Sequence, residues 1–328
     1  MFAEAFESML IDHCTLAVVR AAEGGQAPQL LQDVITRSGF LDLLADDVDG
    51  GGGLSLREFY PVAALCGAYA APLPIAQTMA ARLLVTTRAA LPAGFVTFAP
   101  ASSAAPDGDG FRTLVPYAMV ADHVLVERGG ALFVLRITDA QREATGVHGA
   151  LGAILRWRES DEQRLPSQLA HALHPLAALL HAAMMAGAMK KAFDLTLQFG
   201  NSRVQFGKSI GKFQAIQHQI SVMAEHVCAA GMAAEAGFQC GRHTPSLLAC
   251  AVAKSRTSEA AQVVASIAHA VHGAMGVTAE YELQIFTRRL HEWRMAHGSE
   301  NHWNRVLGQS LLDSQENLVT DFVRHISA

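Results

Sequence analysis

The chain has 328 residues, of which 51% are hydrophobic and 17% are charged, so it can form two or three domains with a large core and is not a disordered protein. Its formal net charge of −5 argues against nucleic acid as the main partner. The five cysteines are scattered and form no Cys-x-x-Cys pair, which argues against a disulfide framework or a cysteine metal site.

The N-terminal segment lacks the features of a signal peptide, because Glu4 and Glu7 stand where such a peptide carries basic residues. The apolar run at 176–189 is shorter than a membrane span and is followed by Lys190 and Lys191. The sequence therefore predicts a cytoplasmic protein with no membrane partner.

Residues 1–90 form the first predicted domain, which is helical. Phe2, Phe6 and Leu10 recur at helical spacing near its start. Four glycines at 50–53 indicate a flexible connector and not a phosphate-binding loop, because no Lys-Ser/Thr pair follows them.

Residues 91–165 form the second predicted domain, which is a small β-domain. Short apolar runs at 95–98, 124–126 and 131–135 are bounded by glycine and proline, as strands are.

Residues 166–328 form the third predicted domain. Apolar residues return to helical spacing there, as at Leu176, Leu180 and Met184, and indicate four long antiparallel helices. The predicted fold class is therefore mainly α with a small β-domain, and ends in a four-helix bundle.

The segment 203–217 carries the clearest functional signal. It contains arginine, several glutamines and phenylalanine, but no acidic residue. This set suits a dinucleotide, because arginine binds phosphate oxygens, glutamine reaches ring or ribose edges and phenylalanine stacks. The alternative is a polar loop with a buried phenylalanine, and the segment alone does not decide between them.

A second segment, 271–281, contains two glycines three residues apart. Gly273 and Gly276 let the backbone approach a ligand closely, and Thr278 is placed to cap the following helix. The alternative is an ordinary corner between two helices.

Taken together, the two segments resemble the acyl-CoA dehydrogenase family. The first matches the flavin-binding signature of the family, and the second matches its glycine-rich turn followed by Thr-x-Glu-Tyr. The resemblance is close over 175–310 and loose over 1–165, and the β-domain is reduced. The matching residues are Arg203, Gln205, Phe206, Gly207, Ile210, Phe213 and Gln214 in the first segment, and Gly273, Gly276, Thr278, Glu280 and Tyr281 in the second.

This resemblance implies FAD as the cofactor and an acyl-CoA as the substrate. It implies an oligomer, because in the family the Arg-x-Gln-Phe-Gly loop serves the FAD of a neighbouring subunit. The residues it implies for FAD are Arg203, Gln205, Phe206, Ile210, Phe213 and Gln214, with Gly273 and Gly276 lining the same nucleotide.

The family oxidises an acyl-CoA thioester to the α,β-enoyl-CoA, with a carboxylate as base and the flavin as hydride acceptor. This chain departs from the family at the base. His297 stands where the usual glutamate precedes Gly-Thr, and Ala177 stands at the alternative base position. The stretch at 97–103 keeps little of the family's flavin-ring strand. Three possibilities stay open: His297 is the base, Glu300 is a displaced base, or this subunit has lost the chemistry.

The same departures resemble the degenerate subunits of heteromeric acyl-CoA dehydrogenases known from sterol side-chain degradation. In those assemblies one subunit type holds the flavin ring and the base, and the other donates the Arg-x-Gln-Phe-Gly loop. Two functions are therefore expected: an acyl-CoA dehydrogenase acting as a homo-oligomer, or a non-catalytic subunit of a heterotetramer. A ferritin-like metal bundle is excluded, because the chain has no Glu-x-x-His pair.

Overall fold

The computed structural model describes residues 2–100, 103–104, 110–239, 244–314 and 318–327. Within these ranges helices come first, two small sheets follow, and a helical bundle forms the C-terminal half. The predicted fold class, mainly α with a small β-domain, is confirmed.

Five helices form the N-terminal part. The fourth begins with a capping box, in which Ser55 and Glu58 satisfy each other's backbone N–H groups. The helices are α1 (Phe2–His13), α2 (Leu16–Glu23), α3 (Gln29–Arg37), α4 (Leu56–Ala68) and α5 (Ile75–Leu84).

The four glycines at 50–53 form a tightly bonded turn, so the expectation of a flexible connector is wrong. The backbone N–H groups of Gly51, Gly52 and Gly53 donate to the carbonyls of Asp46, Asp42 and Ala45. A Cβ at Gly51 would lie 2.2 Å from the Ala45 carbonyl oxygen, so the glycine serves close backbone packing.

Two four-stranded sheets form the β-domain, and a small apolar cluster containing Leu155 and Trp157 packs within it. The first sheet has the order β1-β4-β5-β8, with β1 and β4 parallel, and the second has the antiparallel order β2-β3-β7-β6. The strands are β1 (Val96–Phe98), β2 (Ser103–Ala104), β3 (Phe111–Val115), β4 (His123–Arg128), β5 (Ala131–Arg136), β6 (Gln141–Ala144), β7 (Ala153–Trp157) and β8 (Glu162–Leu165).

Three long helices and two shorter ones make the bundle, so the fourth helix of the predicted bundle is split in two. The break between the two shorter helices spans residues 296–299 and contains His297. The helices are α6 (Leu173–Ser202), α7 (Gln214–Gly237), α8 (Leu247–His272), α9 (Leu283–Met295) and α10 (Glu300–Asp313), and α11 (Val319–Ser327) follows them. A hairpin of β9 (Val204–Gln205) and β10 (Lys208–Ser209) separates α6 from α7.

The N-terminal part packs directly on the bundle where α4 crosses α6. A Cβ at Gly67 would lie 1.8 Å from the Met184 carbonyl oxygen, and one at Gly187 would lie 1.9 Å from that of Ala64. One continuous apolar cluster runs from Phe6 in α1 through this crossing into the bundle. The two helices can approach this closely only because both contact positions are glycine.

Two helical segments, Ala170–Ser202 and Leu247–Val277, are long and apolar enough to cross a membrane by length and composition. The apolar run at 176–189 is shorter than a membrane span, but the helix that contains it, α6, has 30 residues. In the fold 89% of the apolar window of the first segment is buried inside the protein, as in a core helix, and 44% of that of the second.

Candidate functional site

The hairpin after α6 presents the first predicted cofactor residues to solvent. Arg203 directly follows the last residue of α6, and its carbonyl accepts the N–H of Ile210 at 2.8 Å. Gln205 pairs with Lys208 across the hairpin. Arg203 and Gln205 are both exposed. Among the described residues no carboxylate forms an ion pair with Arg203, so its guanidinium can meet an anion without displacing a partner.

Phe206 lies at the tip of this hairpin with 91% of its surface exposed. It and Gly207 have φ angles of 50° and 78°, which is the left-handed geometry of a two-residue hairpin turn. A phenylalanine is costly in this conformation, and it gains no burial within this chain. Its position is therefore suited to contact with another molecule.

The rest of the first motif fixes the hairpin to the bundle. Ile210 is buried, and a Cβ at Gly211 would lie 3.0 Å from the carbonyl oxygen of Gly200. The ring of Phe213 lies edge-on to Phe206, with centroids 6.2 Å apart. Gln214 begins α7 and is exposed.

The second motif begins beside the first. His272 at the end of α8 stacks on Phe199 near the end of α6, with ring centroids 4.4 Å apart, and its Nε2 accepts a hydrogen bond from the hydroxyl of Tyr281 at 3.2 Å. Gly273 follows with a φ of 59° and is exposed. The structure therefore brings together the helix ends that carry the two motifs.

Gly276 and Thr278 serve local structure. Gly276 is buried, and a Cβ there would lie 2.9 Å from the Cβ of His272. The Thr278 hydroxyl donates to the Met275 carbonyl at 3.0 Å, and α9 begins only at Leu283. The expectation that Thr278 caps the following helix is therefore wrong.

A cleft of about 490 Å³ separates the β-domain from α9 and from the break between α9 and α10. The β-domain contributes the end of β1, strand β3 and the loop before β7, and Pro100 of the expected flavin-ring stretch lies in its wall. Residues 101 and 102 of that stretch lie outside the described residues. The lining includes Pro100, Thr113, Leu114, Val147, Gly149, Arg288, Arg289, Glu292, Met295 and His297.

His297 lines this cleft in a left-handed conformation with a φ of 53°. Only 2% of its surface is exposed, and neither ring nitrogen has a hydrogen-bond partner within the described chain. Its carbonyl accepts the indole N–H of Trp303 at 3.0 Å. The backbone of His297 is therefore fixed, while its two buried ring nitrogens have no hydrogen bond within the described chain.

Three other basic side chains surround His297. The ring centroids of His181 and His174 lie 4.9 and 6.3 Å from that of His297. Burial lowers the pKa of His181 to about 3 and that of His174 to about 4, with the charge of Lys254 contributing to both. Burial is also the largest cause that lowers the pKa of His297 well below its usual value. The charges of His181, His174 and Lys254 lower this pKa further. All three imidazoles are therefore neutral at physiological pH.

Glu300, the second candidate base, is bonded away from the cleft. Both carboxylate oxygens accept from the guanidinium of Arg294, and Glu300 is not among the residues that line the cavity. Burial opposes its ionisation, but the bonds from Arg294 outweigh burial and hold the pKa of Glu300 below its usual value. The residue also begins α10, where a negative charge complements the helix dipole.

Sequence reasoning did not single out an ion-pair network at the other end of the cleft. The buried Arg289 pairs with Glu23 of α2 and with Glu292, and Glu292 also accepts the N–H of Gly152 at 3.1 Å. The neighbouring Arg288 bonds to Glu23 as well. These contacts join the N-terminal part, the β-domain and α9, and the adjacent Arg288-Arg289 pair was the one signal for them in the sequence.

The described side chains fit one half of a flavin dinucleotide better than the other. The hairpin offers an arginine without an ion-pair partner among the described side chains, an amide and an exposed ring, which suit pyrophosphate, ribose and stacking contacts. The cleft offers an apolar wall and the unpartnered imidazole of His297, but the single carboxylate in its described lining, Glu292, is already bonded.

The C-terminal half of the chain matches a known protein family. Residues 168–312 match the family model described as "Acyl-CoA dehydrogenase, C-terminal domain". Acyl-CoA dehydrogenase IpdE2 of Mycobacterium tuberculosis is 29% identical over 298 residues, which cover 89% of this chain and 90% of that protein. IpdE2 of Mycolicibacterium smegmatis is 36% identical over 115 residues, but these cover only 35% of this chain and 36% of that protein.

Solved structures show the same fold over nearly the whole chain. The ChsE4-ChsE5 complex from Mycobacterium tuberculosis contains a chain that superposes with a TM-score of 0.81 at 20% identity, covering 96% of this chain and 97% of that one. Butyryl-CoA dehydrogenase from Megasphaera elsdenii gives a TM-score of 0.74 at 18% identity, covering 94% and 98%. The family model and the two motifs thus identify residues 168–312 as the C-terminal domain of an acyl-CoA dehydrogenase, and the superpositions show that the whole chain has the corresponding fold.

Proposed function

We propose that this chain is a subunit of an FAD-dependent acyl-CoA dehydrogenase, and that it donates the 203–214 hairpin to the FAD site of a neighbouring chain. The observation that carries the proposal is Phe206, which is 91% exposed in a left-handed turn between the exposed Arg203 and the half-buried Phe213. Within its own chain the ring at the tip contacts the edge of Phe213 and gains almost no burial. The reaction is the oxidation of an acyl-CoA thioester to the α,β-enoyl-CoA.

The first motif supplies the cofactor contacts. Arg203 would bind the pyrophosphate, and Gln205, Phe206, Ile210, Phe213 and Gln214 would hold the rest of the ADP half, with Gly273 beside it; Gly276 supports the turn from within. FAD, when bound, supplies the acceptor for the hydride.

In the cleft, the side chains of this chain are better suited to hydrogen bonding than to proton abstraction. A neutral imidazole such as that of His297 has one N–H donor and one acceptor, and its lowered pKa makes it a weak base. Glu292 is held by Arg289 and Gly152, and Glu300 is held by Arg294. We therefore favour the heteromeric form, in which a partner subunit supplies the base and this chain does not.

The heteromeric form also has support from the comparisons. The structure with a TM-score of 0.81 is a chain of a ChsE4-ChsE5 complex, and a steroid acyl-CoA dehydrogenase, Tcur3481-Tcur3483, gives 0.75 at 22% identity. Both names join two different polypeptides.

Purification of the chain alone and together with a candidate partner subunit tests the proposal. We expect a colourless or weakly coloured protein alone and a yellow, stoichiometric complex that oxidises acyl-CoA. A complex that forms without FAD, or one that binds FAD and oxidises no acyl-CoA of any chain length or ring structure, would contradict it.

Two substitutions in the active complex decide between the homo-oligomeric and heteromeric forms. Loss of a general base lowers turnover by about 10²–10⁴-fold. If this chain supplies the base, His297→Ala or Glu300→Gln produces a loss of that size. We expect a smaller loss for both, and a loss of that size when the base carboxylate of the partner is replaced.

A further inference from the structure

Lys254 lies in α8 and is completely buried. Its ammonium group donates to the carbonyl oxygens of Arg294 and Gly298, each at 2.8 Å, and to the hydroxyl of Ser258 at 3.1 Å. Burial lowers the pKa of Lys254 to about 7, and the charged form, which has three N–H donors, uses all of them on uncharged acceptors. Burying a charge among neutral partners is costly, and an apolar side chain would fill the same space at lower cost.

The two carbonyls that Lys254 binds stand on either side of His297. That of Arg294 belongs to the last turn of α9, where carbonyls have no partner in the helix. That of Gly298 follows directly after His297. His297 and Gly298 have φ angles of 53° and 95°, and a histidine keeps such a conformation only when its surroundings impose it. No described residue hydrogen-bonds to the imidazole, whereas the backbone around it is held by Lys254 at the carbonyls of Arg294 and Gly298 and by Trp303 at that of His297.

We propose that Lys254 is the positioning residue for His297: by binding the carbonyls before and after it, the ammonium group holds the left-handed turn that places His297 at the wall of the cleft, with its imidazole packed against that of His181. The proposal rests on the proposed function only in treating the cleft as part of the active site. The geometry of the turn does not depend on that function. Ser258 lies on α8 itself, so its contact with Lys254 does not bear on the turn.

The charge of Lys254 acts on the same group. The ionisable side chains around the turn are His174 and His181 on α6, Lys254 on α8, Arg294 on α9 and Glu300 and His302 on α10. Burial is the first cause of the low pKa of His297, and the positive charge of Lys254 adds to it. Removing Lys254 should therefore raise the pKa of His297 as well as loosen the turn.

Lys254→Met in the full-length chain is the test, with Ser258→Ala as the matched control. Amide hydrogen exchange at 297–299 should become at least about tenfold faster in Lys254→Met and should change little in Ser258→Ala. Exchange of the imidazole C2 hydrogen, followed by mass spectrometry across a pH series, should show a raised pKa for His297 in Lys254→Met alone. A purely structural loss elsewhere in the bundle would not move this titration.

Equal exchange at 297–299 in the two variants, or an unchanged His297 titration, would overturn the proposal. If Lys254→Met does not fold, Lys254→Gln, which keeps two N–H donors, takes its place. Failure of both to fold would mean that the whole bundle needs the lysine, which also overturns a local role. These measurements need no turnover, so they stand even if the wild-type complex proves inactive towards acyl-CoA and the proposed function fails.

Discussion

The imidazole of His297 faces that of His181 with ring centroids 4.9 Å apart, and no described carboxylate bonds to either ring. The Nδ1–H of His181 donates to the Ala177 carbonyl at 2.8 Å, which leaves its Nε2 unbonded. Ala177 and His297 are the two positions where the family resemblance leads us to expect the base. Two imidazoles with lowered pKa values, and no described carboxylate, lie together there.

Acid should destabilise the protein through these histidines. The pKa of His181 in the folded protein is about 3, below the ordinary value of 6.5. Below pH 6.5 the unfolded chain binds a proton at this residue and the folded chain does not. The free energy of unfolding is therefore full above pH 6.5 and falls as the pH is lowered. At pH 5 this loss amounts to about 2 kcal/mol for His181. Denaturant unfolding at pH 7 and pH 5 measures it.

The matched variants are His181→Phe, which removes the proton site within the core, and His218→Gln on the exposed side of α7. The difference in stability between pH 7 and pH 5 should shrink in the first and persist in the second. An unchanged difference in His181→Phe would show that this imidazole is not kept neutral.

Arg203→Ala should weaken the binding of FAD to the assembled protein by about ten- to a hundredfold, because it removes a charged hydrogen bond to phosphate. Lys212→Ala is the control, since it removes an exposed positive charge from the same loop. Fluorescence titration of the flavin gives both affinities. Equal losses would mean that the loop acts through its overall charge and not through a specific contact of Arg203.

Gly67→Ala should destabilise the fold by about 3 kcal/mol or more. The reason is that the added Cβ would clash with the carbonyl oxygen of Met184 at the crossing of α4 and α6. Gly231→Ala in α7 is the control. A Cβ there would meet nothing within 4 Å, so alanine should stabilise the helix by about 0.5–1 kcal/mol. Denaturant unfolding of the two variants should therefore shift in opposite directions.

Arg289→Met should cost about 3–5 kcal/mol, because it leaves the carboxylates of Glu23 and Glu292 without their buried partner. Lys190→Ala breaks an exposed pair with Asp194 and should cost less than about 0.5 kcal/mol. The free energy of unfolding distinguishes the two. A small loss in Arg289→Met would mean that Arg288 alone can satisfy Glu23.

Much of the fold could be predicted from residue spacing, because helices with one buried face leave a clear pattern. The split of the fourth bundle helix could not be predicted that way. Met295 and Glu300 both fit a helical pattern, and the break depends on the left-handed backbone at His297 and Gly298. The turn at 50–53 was misjudged for a related reason: glycines suit flexible and tightly packed backbone equally, and only the neighbouring chain decides.

The candidate site was predictable where the sequence carries a contiguous motif. Residues 203–214 fold into one local hairpin, so their order in the chain preserves their arrangement in space. The cleft, in contrast, gathers residues from distant elements. Lys254 and His181 are placed near His297 by helix packing, and an isolated lysine or histidine in an apolar helix gives no sign of which loop it will meet.

The domain boundaries expected near residues 90 and 165 stay a prediction. The glycine contact between α4 and α6 bears on them, because it joins the N-terminal helices directly to the bundle. Backbone touches backbone there, and one apolar cluster continues from α1 into the bundle. We therefore expect the N-terminal helices and the bundle to unfold together, although the β-domain separates them in the chain. A fragment that began after the β-domain would expose the face of α6 that α4 covers, and would lose its solubility before it lost its helices.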